Sequence, residues 1–97
     1  MLLPVVVKFN ASENNEKNEN RLERMAHAMG LSSGSDIPDA IKDMNARLGL
    51  PIGLKTMGVE RDWYEKIIHG AMQDHCHKTN PRIATAPDYE QMLLAAM

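Results

Sequence analysis

Residues 74–82 read Asp-His-Cys-His-Lys-Thr-Asn-Pro-Arg, and residues 85–88 read Thr-Ala-Pro-Asp. Pro81 excludes helix around residue 80, because a proline ring clashes with a helical residue before it. Thr85 and Asp88 have the spacing of a capping box, and the proline between them fits the first turn of a helix, where an amide has no intrahelical partner. This stretch therefore predicts two helices joined by a loop at the end of the chain.

Apolar side chains recur at helical spacing on both sides of this loop. The same spacing appears twice more upstream, where Gly30 and Gly49 follow the last apolar residue and favour a helix end. Pro38 fits the first turn of the second upstream helix. The four predicted buried stripes are Leu22, Met25, Ala26 and Met29; Ile37, Ile41, Met44 and Leu48; Trp63, Tyr64, Ile67, Ile68, Ala71 and Met72; and Tyr89, Met92, Leu93 and Ala96.

Two segments near the N-terminus are less regular. Residues 10–20 hold five asparagines and three glutamates, which predicts a loop running into a helix. Residues 5–7 are three valines, a β-branched run that fits either a strand or a buried helix. No alternating strand pattern appears elsewhere in the sequence. We therefore predict an all-α protein, a small bundle of about four helices.

Length and charge limit the classes of function. A chain of 97 residues fits one compact unit. The net charge is −2 with acids and bases interleaved, so neither nucleic acid nor an anionic membrane is an expected partner. The longest apolar run, residues 1–7, is too short to cross a bilayer. A single cysteine excludes an internal disulfide, which fits a cytoplasmic protein.

One cluster in the sequence has the donor types of a metal site. His75, Cys76 and His77 are adjacent, with His69 upstream, and imidazole and thiolate suit zinc. The spacing matches none of the usual structural zinc patterns, which pair ligands across about two to four residues and repeat the pair. The alternative is a helix C-terminus, where protonated histidines offset the helix dipole. We therefore assign no metal ligand.

Other site chemistry is weakly supported. Cys76 as a nucleophile needs a partner base and a lowered pKa, and a thiol that lines a cavity is the simpler interpretation. The isolated glycines form no phosphate-binding loop, so no cofactor-binding residue is assigned. Asp36, Asp39 and Asp43 lie at helical spacing, but bases are interleaved and acids in a first turn stabilise a helix. No catalytic residue is assigned.

Three motifs together resemble iron-containing alcohol dehydrogenases, the group III or metal-dependent family. The first is Leu2-Leu3-Pro4 followed by Lys8-Phe9-Asn10. The second is Leu48-Gly49-Leu50-Pro51 followed by Leu54 and Met57-Gly58-Val59. The third is Asp74-x-Cys76 with Asn80-Pro81-Arg82, then Thr85 and a closing apolar helix. The order and separations of these motifs resemble those of the family over nearly all of the chain.

The resemblance implies that residues 1–97 are the distal part of the family's C-terminal helical domain, which has a dehydroquinate-synthase-like fold. Family members also have an N-terminal dinucleotide-binding domain, and their iron ligands, one Asp and three His, lie upstream of the segment matching Leu2. Iron (or another divalent metal) and NAD(P) are then cofactors of the parent enzyme, in which iron polarises the alcohol oxygen and hydride passes to the nicotinamide. The expected partners of this chain are the missing dinucleotide-binding domain and the metal-ligand helices.

The same resemblance assigns a role to few residues. Cys76 matches a position at which some relatives place a cysteine beside the substrate and nicotinamide cavity, so it is the one expected cavity-lining residue. Asn80 and Arg82 are expected to be structural, an amide tying the loop and a guanidinium paired with a carboxylate. Residues 77–79 replace the small residues of many relatives, which bears on substrate preference. The chain is expected to supply one wall of the interdomain cleft and to be inactive alone.

Two other functions stay open at this point. The chain is either a self-standing helical module that forms a homo-oligomer through methionine-rich faces, or a small metal-binding domain built on the histidine and cysteine cluster. Residues 1–7 favour neither, because an apolar start without a cap is expected of a helix that continues from an upstream segment.

Overall fold

The computed structural model describes residues 1–13 and 15–97 and confirms the all-α prediction for them. The predicted loop at residues 10–20 includes Asn14, which lies outside the described residues. The described backbone forms α-helices and three short 3₁₀ turns, with no strand. The α-helices are α1 (Leu2–Ala11), α2 (Glu16–Ala28), α3 (Ile37–Arg47), α4 (Tyr64–Gln73), α5 (His75–Thr79) and α6 (Ala86–Ala96), and the 3₁₀ turns are Gly34–Asp36, Lys55–Met57 and Arg61–Trp63.

Four of these helices, α2, α3, α4 and α6, are those that the apolar stripes predicted. The valine run belongs to α1, which resolves the choice between strand and buried helix. The short α5 was not predicted: Asp74 has an extended backbone (ψ 139°), and its carboxylate accepts a hydrogen bond from the Cys76 amide at 2.8 Å. His75 therefore begins a new helix and His77 lies in its last turn, so the interpretation of a histidine at a helix C-terminus holds for His77 on α5 and not for His75.

The predicted helix boundaries at α2, α3 and α6 are confirmed. Thr85 and Asp88 form a reciprocal capping box, in which the Asp88 carboxylate accepts from the Thr85 amide at 2.8 Å. Gly30 and Gly49 follow α2 and α3 with φ of 76° and 71°, the left-handed geometry that glycine adopts most readily. Each of these three helix boundaries is therefore explained by residues next to it in the sequence.

α1 is the central helix of the packing. It contacts α3 on one side and α6 on the other, and α6 in turn contacts α4. Val5 packs against one buried cluster and Val7 against a second, so the valine run joins the two. The first cluster consists of Leu54, Tyr64, Leu93 and Ala96, and the second of Ala26, Ile37 and Ile41.

The chain end packs closely against the loop after α3. The Leu54 amide donates to the carbonyl of Ala96 at 2.8 Å, which gives the end of α6 a backbone partner. A Cβ at Gly53 would lie 2.2 Å from the Met97 carbonyl oxygen, so only glycine fits this approach. The loop and α6 are therefore held in register by the backbone.

The molecule is thin, and much of its apolar surface stays exposed. Its extents are 39 × 32 × 18 Å. Because a helix with side chains is about 10–12 Å across, the short dimension holds fewer than two full layers. Parts of the predicted stripes are therefore not buried, which corrects the expectation for Met25, Met29, Met44, Leu48, Trp63, Ile67 and Met72.

The exposure is densest between α3 and α4. Leu48 and Ile52 are 66% and 79% exposed, although both are large aliphatic residues. We call residues 44–63 the exposed apolar segment. Its exposed members are Met44, Leu48, Leu50, Ile52, Met57 and Trp63.

Candidate functional site

A groove runs between α1, α4 and α6, and α5 lies at one end of it. Its volume is about 570 Å³, within the range of about 300–1,000 Å³ typical of small-molecule pockets. Most of the lining is apolar and comes from the three long helices, with Val6, Ile67 and Met92 as examples. The groove can therefore accept an aliphatic body.

The polar side chains of the lining come from α5 and its flanking residues and from Tyr89 of α6. We call this set the polar wall. It consists of Asp74, Cys76, His77, Asn80 and Tyr89. Few convergent polar groups beside an apolar surface are the usual composition of a ligand site.

Asp74 and Cys76 are coupled through one carboxylate. The backbone amide of Cys76 donates to Asp74 Oδ1, and this hydrogen bond is the main cause of a lowered pKa of Asp74. The same carboxylate raises the pKa of the Cys76 thiol, first by accepting a hydrogen bond from it and then by its charge. Cys76 is thus exposed and protonated at neutral pH, which is unfavourable for a nucleophile.

His77 and Tyr89 form the second pair of the polar wall. The Nδ1 of His77 and the hydroxyl of Tyr89 are 2.8 Å apart, and their rings are tilted with centroids 5.7 Å apart. Burial raises the pKa of Tyr89, and the charge of Asp74 raises it further. Tyr89 therefore keeps its proton at neutral pH and fixes the orientation of a half-buried imidazole.

A hydrogen-bonded set ties the loop after α5 to α1, and we call it the polar clasp. The Asn80 side-chain amide donates to Asn10 Oδ1 at 2.7 Å. The Arg82 guanidinium donates to the hydroxyl of Ser12, lies 4.1 Å from the centroid of the Phe9 ring, and is 3.9 Å from the Asp88 carboxylate. The list of clasp residues is Phe9, Asn10, Ser12, Asn80, Arg82 and Asp88.

The clasp confirms the predicted structural roles of Asn80 and Arg82. Asn80 ties the loop through its amide, and Arg82 pairs with a carboxylate as expected. Sequence reasoning missed the partners on α1, because Asn10 and Asn80 are 70 residues apart and no periodicity links them. The clasp holds the loop that directly follows α5, which carries Cys76 and His77, against the end of α1.

The metal-ligand candidates come together only in part. Among the described residues, the donor atoms of Asp74, His75 and Cys76 lie within 4.8 Å of one another, and all three side chains are exposed. His69 lies on α4 outside this group, and His77 is paired with Tyr89. Three exposed donors on consecutive residues resemble neither a closed structural zinc site nor a set of one Asp and three His.

The remaining sequence candidates are surface features. Asp36, Asp39 and Asp43 are exposed, and Asp43 pairs with Arg47 at 3.2 Å within α3. His27 is also exposed. Cys76 lies in the groove lining, and its expected place beside a substrate cavity stays a prediction.

A second groove, of about 510 Å³, lies between α1, α3 and α6. Lys8, Asp39, Lys42 and Asp43 line it, so its charges alternate in sign and create no field of one sign.

Across residues 1–13 and 15–97, no helix is both long and apolar enough to span a membrane.

Comparison with known proteins agrees with the motifs. The model of the Fe-containing alcohol dehydrogenase family, C-terminal, matches residues 1–97. The chain is 47% identical over 97 residues to a 4-hydroxybutyrate dehydrogenase of Cupriavidus necator, an alignment that covers 100% of this chain and 25% of that protein. It is 30% identical over 99 residues to an NAD-dependent methanol dehydrogenase of Bacillus methanolicus, covering 98% of this chain and 26% of that protein. The chain thus spans about a quarter of the length of the curated relatives it matches, and it belongs to the Fe-containing alcohol dehydrogenase family, to the C-terminal part of that family.

Proposed function

We propose that residues 1–97 are the distal part of the C-terminal helical domain of an iron-dependent, NAD(P)-linked alcohol dehydrogenase. In this role the chain supplies one wall of the interdomain cleft and does not oxidise alcohols by itself. The observation that carries the proposal is the coverage: all 97 residues match the family, yet they equal only 25% of the 4-hydroxybutyrate dehydrogenase.

The surface of the chain supports a role within a larger polypeptide. Large apolar residues are exposed on α1, α3, α4 and the segment between α3 and α4. Contiguous apolar surface on a soluble protein usually marks an interface. The proposed partners are the dinucleotide-binding domain and the helices that carry the metal ligands, which would cover the exposed apolar segment.

The groove supports a place beside the substrate. Its apolar lining suits a carbon chain, and Cys76, the expected cavity-lining residue, is part of that lining. The two relatives are named for 4-hydroxybutyrate and methanol, both primary alcohols, so we propose a primary alcohol as the substrate class.

The described residues of this chain do not fit a catalytic iron site. The one group of three metal-capable side chains is exposed and contains a single histidine. Iron bound elsewhere in the parent enzyme would act as a Lewis acid on the alcohol oxygen. This chain's contribution is limited to shaping the cavity, excluding water from it and holding the polar wall in place. We also place the protein in the cytoplasm, in agreement with its one free cysteine.

The proposal is tested by comparing the purified 97-residue chain with a polypeptide that also carries the two proposed partner segments. The chain alone is expected to bind no stoichiometric iron and to show no alcohol-dependent reduction of NAD or NADP. The longer polypeptide is expected to do both. Turnover and iron binding by the chain alone contradict the proposal.

A second candidate function is a self-standing helical module that forms a homo-oligomer. Three exposed methionines favour it, Met25 on α2, Met29 at the C-cap of α2 and Met44 on α3, because methionine packs well on adaptable surfaces. Light scattering decides between the two: a defined, well-folded dimer of the chain supports the module, whereas a monomer or a heterogeneous aggregate supports the dehydrogenase segment.

A further inference from the structure

We infer that His77 is a specificity-determining residue, whose Nε2 binds the far polar end of a bifunctional aliphatic alcohol. The far end is an oxygen that accepts a hydrogen bond, either the hydroxyl of a diol or the carboxylate of a hydroxy acid. This inference rests on the proposed function, and it adds to it the residue that distinguishes such substrates from simple alcohols.

The shape of the groove supports a ligand with an apolar body and a polar end. Residues of α1, α4 and α6 form the apolar part, and the polar wall lies beside α5. A short carbon chain on the apolar part would bring its far oxygen to the polar wall. A simple alcohol of the same length has no group to satisfy the polar atoms there, and leaving them unpaired costs binding energy.

Most polar atoms of the wall already have partners. Asp74 Oδ1 accepts from the Cys76 amide, and the Asn80 amide donates to Asn10 Oδ1 and to the Arg82 carbonyl. The Tyr89 hydroxyl is bonded to His77 Nδ1. Among the described residues, His77 Nε2 has no hydrogen-bond partner, although the ring is only half-exposed and lies in the groove lining.

Tyr89 sets which atom of His77 can donate. When the tyrosine hydroxyl donates to Nδ1, the neutral ring carries its proton on Nε2, which is then a hydrogen-bond donor on a residue of the groove lining. Asp74 is the one carboxylate among the described residues of the groove lining, and its charge opposes an anionic ligand. A diol and a hydroxy acid both present an acceptor oxygen to His77, and the substrates compared below distinguish a hydroxyl from a carboxylate.

Tyr89 acts through His77 and is a positioning residue.

The experiment uses the parent dehydrogenase that contains this segment and measures kcat/KM for butan-1-ol, butane-1,4-diol and 4-hydroxybutyrate. His77→Leu is expected to lower the ratio of the bifunctional substrates to butan-1-ol by about tenfold or more, the effect of losing one good hydrogen bond. His77→Gln, whose amide can donate, should recover part of the ratio. Tyr89→Phe should lower it by about threefold, since only the orientation of the ring is lost.

His69→Leu is the matched control, because His69 is an exposed histidine on α4 outside the groove lining. A loss with 4-hydroxybutyrate alone assigns the far end as a carboxylate, and a loss with both bifunctional substrates assigns an acceptor oxygen of either kind. An unchanged ratio in His77→Leu, or an equal change in His69→Leu, overturns the inference while the proposed function stands. A wild-type enzyme that oxidises none of the three alcohols contradicts the proposed function and the inference with it.

Discussion

The polar clasp and the exposed apolar segment are opposite kinds of surface, because the polar groups of the clasp pair with one another whereas the large exposed residues of the segment are uncovered. In the clasp, polar side chains from α1 and from the loop before α6 satisfy one another, with the Arg82 guanidinium 4.1 Å from the Phe9 ring centroid. In the segment from residue 44 to 63, six large apolar side chains are exposed although Leu54 is buried, and Ile52 is 79% exposed. The clasp completes itself within this chain, whereas the apolar segment is complete only with something packed on it.

This difference locates the function of each region. Hydrogen bonds between residues far apart in sequence fix the relative positions of the segments that they join. The clasp fixes the loop after α5 relative to α1, next to the groove. An apolar surface without a partner carries binding energy that the chain itself does not use. Under the proposed function, the first region supports the candidate site and the second is the proposed interface with the rest of the dehydrogenase.

The largest expected effect contrasts the buried core with the exposed apolar segment. Ile37→Ala should lower the free energy of unfolding of the 97-residue chain by about 2–5 kcal/mol, because Ile37 is fully buried and its removal leaves a cavity. Ile52→Ala should change it by no more than about 0.5 kcal/mol. Urea unfolding followed by circular dichroism measures both, and a similar loss in the two variants would show that Ile52 is covered in the chain alone.

The next effect concerns the clasp. Arg82→Gln should destabilise the chain by about 1–2 kcal/mol, since it removes the interaction with Phe9, the hydrogen bond to Ser12 and a partly exposed ion pair with Asp88. Arg47→Gln is the control, because Arg47 and Asp43 are both highly exposed and such pairs contribute about 0–1 kcal/mol. Equal losses of unfolding free energy in the two variants would show that the clasp contributes no more than an exposed surface ion pair.

A smaller effect belongs to the cap of α6. Thr85→Ala should cost about 1 kcal/mol, the usual contribution of an N-cap side chain. A hydrogen bond from the Thr85 amide and, to a smaller extent, one from its hydroxyl lower the pKa of Asp88 in the folded chain, so the folded state binds that proton less readily than the unfolded state. The stability from these bonds is therefore present above the unfolded-state pKa and is lost as the pH falls through the folded-state value. Thr85→Ala keeps the amide donor, so the pH dependence is tested with Asp88→Asn: unfolding curves between neutral pH and about pH 2 should show a weaker acid dependence in this variant than in the wild type, and parallel curves would contradict the assignment.

The smallest effect is on the reactivity of one thiol. Asp74→Asn removes the carboxylate that raises the pKa of Cys76, so the thiolate fraction at mildly alkaline pH should increase. Alkylation by iodoacetamide at about pH 8 should then be several-fold faster, because the thiolate is the reacting form. Asp39→Asn changes an exposed carboxylate on α3 and serves as control. An alkylation rate equal to that of the wild type would show that Asp74 does not raise the pKa of the Cys76 thiol.

Local signals in the sequence predicted the parts of the fold that local chemistry determines. The capping box at Thr85, the glycines after α2 and α3, and the inward face of α6 all follow from short-range geometry, and the structure confirms them. The break at Asp74 was missed because an extended cap residue within a continuous helical pattern leaves no periodic signature. The structure places Cys76 and His77 in one groove, which the sequence did not reveal beyond the expected cavity position of Cys76.

Long-range contacts and the exposure of individual apolar side chains could not be predicted from the sequence, for a different reason. The contact between Asn10 and Asn80 depends on how α1 packs, and no spacing rule relates residues so far apart. Leu48 and Trp63 fit a buried stripe by pattern, yet a stripe is buried only where another element covers it. Both errors concern what lies next to a helix, whereas the existence of the main helices followed from the pattern along each one.

The central claim, that this chain acts as part of a larger dehydrogenase, is tested most directly by an immunoblot of the source-cell lysate with an antibody raised against residues 1–97. A single band far larger than 10.9 kDa is the predicted result, because the curated relatives are about four times as long as the matched segment. A band at 10.9 kDa would contradict the account, since the cell would then keep this helical segment alone and the exposed apolar segment would have to serve self-association.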